Sequence, residues 1–202
     1  MLEWGLALLA LIIWLSASDV GAPAVGLAWP RRWPGLLTGL VVALVLVFVF
    51  VSTRALRGGA LLQAESGRRR AGEGRHSESA AHATLALLPR TAGERRLFTL
   101  VGFTAGVCEE WLYRGFFLAV VSALAGGLPE LALVGIAAVA FGLAHAYQGA
   151  VGVLTTGVLG GVMAALYLGT GSLLLPVLLH AAIDLRFLLV PARVLPAGRG
   201  AA

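Results

Sequence analysis

Residues 97–125 read LFTLVGFTAGVCEEWLYRGFFLAVVSALA. The stretch carries three charged residues, Glu109, Glu110 and Arg114, among side chains that are otherwise apolar, small or hydroxyl-bearing. An α-helix crosses the hydrocarbon core of a bilayer in about 20 residues, so this run is long enough to span one. A charge near mid-bilayer costs about 2.5–3.5 kcal/mol on insertion scales, which confines such groups to a protein interior or a water-filled cavity. The run is therefore expected to be a membrane helix whose charges face something other than lipid.

Outward from it the same signal repeats. Apolar runs fall at Leu2–Ala17, at Leu36–Val51 with its unbroken VVALVLVFVFV, and at about 131–147, 149–168 and 173–190. Apolar residues make up 59% of the 202 and charged residues 12%, with a mean hydropathy of +0.91. A soluble domain carries roughly 25% charged residues. Soluble enzymes, disordered chains and disulfide scaffolds are thereby excluded, and the single cysteine, Cys108, has no internal partner. The expected fold is all-α, a polytopic integral membrane bundle of about six transmembrane helices. The first run begins Met-Leu-Glu, with an acid where a secretory signal would be positive, so it is expected to be retained.

All fifteen basic residues are arginine and the net charge is +5. No aromatic-interleaved basic motif accompanies them, so no nucleic acid is expected as a partner. Nine of the arginines (Arg54, Arg57, Arg68, Arg69, Arg70, Arg75, Arg90, Arg95 and Arg96) lie in the long polar stretch from Ser52 to Arg96. Its centre, ESGRRRAGEGRHSES, lacks apolar periodicity and reads as a loop with His76 and His82 solvated nearby. Positive loops face the cytoplasm, which puts both termini of a six-span cell-membrane protein on that side, in agreement with tail residues Arg193 and Arg199. Arg31 and Arg32, in a connector with Pro23, Pro30 and Pro34, then fall outside. Three regions result: residues 1–96 with two spans and the arginine-rich loop, a core at 97–190, and a short tail at 191–202.

Within the core, Glu110 and Arg114 are four apart and share a helix face, where an ion pair offsets much of the cost of both. Glu109 sits about 100° round the helix with no basic residue at i+4, in the setting of a general base or a metal ligand. His145 ends the FGLAH of the next run, and His180 and Asp184 stand at i, i+4 in HAAID. That spacing suits a hydrogen-bonded dyad, a metal pair or a local helix-stabilising pair. Arg186 is expected to extend toward the cytoplasmic interface. Gly102 and Gly106, and again Gly157 and Gly161, form the small-residue spacing of close helix packing. Cys108 adjoins carboxylates in apolar surroundings, a poor setting for a thiolate nucleophile.

Together, EEWLYR (Glu109 to Arg114), FGLAH (Phe141 to His145) and HAAID (His180 to Asp184) resemble the CPBP family, the CAAX-processing and bacteriocin-processing intramembrane proteases also called Abi. The resemblance covers about Leu97 to Val190. It implies that Glu109 activates a water with His145, that Glu110 and Arg114 hold the helix geometry, and that His180 and residue 184 stabilise an oxyanion. The family has more often asparagine at the last position, and an ionised Asp184 would repel an oxyanion. Family members are called metalloproteases, yet HExxH is absent here; a divalent ion such as zinc on Glu109, His145 and His180 is the cofactor the resemblance allows. The implied substrate is a membrane-associated or lipidated peptide or protein. A serine-type site lacks its glycine-flanked turn at Ser172, and an aspartyl type lacks a second membrane aspartate beside Asp184. Two rivals from other classes remain open at this stage: a non-catalytic immunity or scaffold protein of the same fold, and a proton or cation carrier using the buried carboxylates.

Overall fold

The computed structural model describes residues 2–17, 19–32, 35–59, 88–192 and 195. The centre of the arginine-rich loop, Pro34, His76, His82, Arg193 and Arg199 lie outside them. The described chain is all-α, and no strand occurs among the described residues. Helix α1 is Leu2–Ala17 and α2 is Leu36–Arg57, joined by a segment with a 3₁₀ turn at Ala22–Val25. Helix α3, Ala92–Glu110, runs through a π-helical segment at Trp111–Phe117 into α4, Leu118–Leu124. Then come α5 (Glu130–Ala144), a 3₁₀ turn (Ala146–Gln148), α6 (Gly149–Thr170), α7 (Leu174–Leu185) and a last 3₁₀ turn (Arg186–Leu189).

The elements coincide with the six apolar runs, and their ends differ for local reasons. Helix α3 starts five residues before Leu97 because Thr91 and Glu94 form a capping box: Glu94 N–H donates to Thr91 Oγ1 and Thr91 N–H to Glu94 Oε2, each at 3.2 Å. Helix α2 runs six residues past Val51, with Arg54 and Arg57 in its last turn, where cations complement the exposed carbonyls. Helix α7 gives way to the 3₁₀ turn shortly before Pro191, a residue that cannot continue a helix. Two runs, Leu36–Arg57 and Ala146–Thr170, are long and apolar enough to cross a membrane. At 15 and 12 residues, α5 and α7 reach only about 18–22 Å at 1.5 Å per residue, short of a bilayer core.

Close packing rests on glycine. A Cβ at Gly142 of α5 would stand 2.8 Å from the Val153 carbonyl oxygen of α6, and one at Gly106 of α3 would stand 3.3 Å from the Ala181 nitrogen of α7. Gly157 and Gly161 face Ala138 across the α5–α6 contact, and Gly102 faces Leu185. Trp111, Leu118, Leu133, Ala137, Ala164 and Tyr167 form a buried cluster at the centre, with Trp14 of α1 6.2 Å from Trp111. Helix α2 packs Val45 against Met163, Leu166, Leu179 and Ile183. Leu40, Leu44, Val47, Phe50 and Val51 of the same helix stay exposed.

The proline-rich connector is tied to the α6–α7 turn. Arg31 N–H donates to the Thr170 carbonyl at 3.0 Å, and Ser172 Oγ to the Ala28 carbonyl at 2.6 Å. Ser172 is thus a buried structural hydroxyl. Gly26 adopts φ +80°, a conformation that favours glycine, and a Cβ there would lie 2.5 Å from the Tyr167 ring.

Candidate active site

Glu109 and Glu110 are the last two residues of α3 before the backbone widens into its π-helical segment. Such segments often occur where a side chain must be placed off the regular helical register. Arg114, inside it, donates Nη1–H to Glu110 Oε1 at 3.0 Å and Nη2–H to the Gly160 carbonyl of α6 at 3.1 Å. Its guanidinium lies 4.3 Å from the centroid of the Phe141 ring. Glu110 and Arg114 are both fully buried. Glycine at 160 leaves room for this approach, since a Cβ there would meet Phe141 Cβ at 2.9 Å.

His180 reaches the same carboxylate from α7, its Nδ1 2.7 Å from Glu110 Oε1. A carboxylate accepts, so Nδ1 carries the proton and Nε2 is left to face the site. His145, at the C-terminal end of α5, is held alike: its Nδ1 lies 2.9 Å from the Phe141 carbonyl oxygen, which can only accept. The two imidazoles therefore present Nε2 toward one place. Glu109 Oε2 lies there, 3.9 Å from His145 Nε2 and 3.8 Å from His180 Nε2. These separations are too long for direct hydrogen bonds and leave space for a bridging oxygen. Asp184 Oδ2 is 3.7 Å from His180 Nε2, so the i, i+4 pair shares a face without a hydrogen bond between its members.

Glu109, His145 and His180 are each more than nine-tenths buried. Beside the two histidines lies a cavity of about 180 Å³, whose wall also carries Arg114, Gln148, Thr155, Asp184 and Arg186. Arg186 lines this wall and donates to the Ile183 carbonyl. Cys108 faces away from the cavity's residues, into an apolar groove with Trp4, Leu8 and Trp111.

The donors suit a divalent ion in kind, two imidazole Nε2 atoms and a carboxylate. In spacing they are wide: ligands about 2.0–2.2 Å from one tetrahedral ion stand about 3.3–3.6 Å apart. Among the described residues no three such groups are gathered closely enough to hold one.

Residues 92–186 match the family model described as type II CAAX prenyl endopeptidase Rce1-like. That segment is similar to the family over just under half of the chain. The resemblance carried by EEWLYR, FGLAH and HAAID is borne out, and the matched Rce1-like segment holds all six of the residues singled out above. No curated protein and no solved structure matches the chain.

Sequence reasoning missed several partners. The Phe141 carbonyl that orients His145 was available from helical i−4 spacing. The Glu110–His180 bond, the Gly160 carbonyl and the cavity-lining Thr155 and Gln148 carried no signal, because they join helices far apart in the chain.

Proposed function

We propose that the protein is an intramembrane endopeptidase that cleaves a peptide bond near the cytoplasmic membrane face, using a water activated by Glu109 and His145. The observation that carries this is the convergence of His145 Nε2 and His180 Nε2 on Glu109 Oε2 at 3.9 and 3.8 Å, with both rings locked through Nδ1. A water there has one carboxylate to take its proton and an imidazole lone pair to orient it. As the water attacks the scissile carbonyl carbon, its proton passes to Glu109 and then to the leaving amine. The nascent oxyanion needs a donor. His180 can supply Nε2–H once it carries a second proton, and Glu110, Glu109 and Asp184 surround it with negative charge to balance that form. Glu110 and Arg114 hold the frame and take no part in proton transfer.

The family supports protease activity of the CAAX type. The substrate under this proposal is a membrane-associated or lipidated peptide or protein, reached from the bilayer. On this reading the six helical runs cross the membrane with both termini cytoplasmic, and the short helices α5 and α7 flank the cavity. Purified protein incubated with lipidated and unlipidated reporter peptides tests the activity, wild type against Glu109→Ala.

A further inference from the structure

The cavity wall carries a second cation besides Arg114, and the proposed mechanism leaves it unused. Arg186 begins the 3₁₀ turn after α7, two residues beyond Asp184. Its Nη1 donates to the Ile183 carbonyl, and its guanidinium lies 4.4 Å from the Phe187 ring centroid and 5.5 Å from that of Phe48. Its Nε is buried with no hydrogen-bond partner. Among the described residues no carboxylate stands within ion-pair distance of it; Asp184 acts on it only at longer range and also faces His180. Arg114 differs sharply, since its charge is met directly by Glu110.

A half-buried guanidinium with one carbonyl and two aromatic faces is short of a full negative charge and of acceptors. It shares one cavity with His145 and His180, so a chain lying against the two imidazoles reaches it. The group that satisfies a planar fork of donors beside a peptide is a carboxylate. We propose that Arg186 binds a carboxylate of the substrate and so determines which bond is presented to the histidines. This rests on the peptidase reading, and deepens it. The carboxylate has two chemical sources, the C-terminus of the substrate or an acidic side chain, and the two call for different peptides.

The test uses one reporter sequence in three forms: a free C-terminal acid, the C-terminal amide, and an amide ending in aspartate. Wild type should cleave the free acid about 10- to 100-fold more efficiently than the plain amide through KM, the range of one charge-assisted contact. Arg186→Gln should remove that preference by raising the KM for the free acid toward that for the plain amide, and Arg186→Lys should keep part of it, as a point charge without the fork. Recovery with the aspartyl amide identifies a side-chain carboxylate as sufficient; no recovery identifies the C-terminus. Equal wild-type cleavage of acid and amide overturns the assignment, as does an equal loss on all three peptides in both variants. Wild-type cleavage of none of the three, with or without a lipid anchor, overturns the peptidase reading itself.

Discussion

His180 Nδ1 lies 2.7 Å from Glu110 Oε1, the oxygen that also accepts from Arg114. One fully buried carboxylate thereby joins α3, its π-helical continuation and α7, and Arg114 extends the link to α6 through the Gly160 carbonyl. The same bond selects which nitrogen of His180 faces Glu109. Frame and chemistry thus meet at residue 110, and its neighbour Glu109 is left to act.

Breaking this link should be costly. Arg114→Met leaves a buried carboxylate without its cation and should destabilise by about 3–5 kcal/mol, and Glu110→Gln should do nearly as much. Glu109→Gln should be far gentler, because it faces the imidazoles only across 3.8–3.9 Å. Melting temperatures in detergent measure all three. Equal melting would remove the division between a framing and an acting glutamate.

Glycine substitutions separate contact from flexibility. Gly142→Ala places a Cβ 2.8 Å from the Val153 carbonyl and must push α5 from α6. It should cost about 1–3 kcal/mol and lower peptide cleavage, since His145 ends the same helix. Gly135→Ala, in α5 with nothing within 4 Å, should leave activity unchanged and raise stability by up to about 1 kcal/mol through helix propensity. Matched losses in the two variants would show that the tight α5–α6 approach does not set the position of His145.

Much of this was legible in the sequence because it is local. Hydropathy marks the helices, and i, i+4 spacing pairs Glu110 with Arg114 and puts His180 and Asp184 on one face. Helix ends were less visible: the Thr91–Glu94 capping box lies outside the apolar run it begins. The site's wiring is not local at all. His180 and Glu110 are 70 residues apart, and Arg114 and Gly160 are 46 apart. No periodicity within one helix reports which oxygen a neighbouring helix will bring. The place of Arg186 on the cavity wall was not legible for a related reason, since the wall is built from residues of several helices.

Asp184 distinguishes two roles. Its carboxylate lies 3.7 Å from His180 Nε2. If it balances and orients His180, Asp184→Asn should lower the cleavage rate, and added divalent metal should not restore it. If residue 184 serves only to donate to the oxyanion, Asn should preserve or raise the rate. Recovery with metal would assign the cation role to this corner of the site.

Orientation is open to direct test. Single cysteines placed between residues 60 and 85, in a Cys108→Ser background, should resist an impermeant thiol reagent in intact cells and react after lysis. Labelling from outside would move the site to the opposite leaflet.

The central claim is that Glu109, His145 and His180 act together on one water. The most direct measurement is cleavage of a reporter peptide by purified wild type, Glu109→Ala, His145→Ala and the double variant, at matched protein levels. Each single change should cost about 10²–10⁴-fold, and the double little more than the worse single one, because residues acting as a unit are not additive. Full turnover by Glu109→Ala would contradict the account.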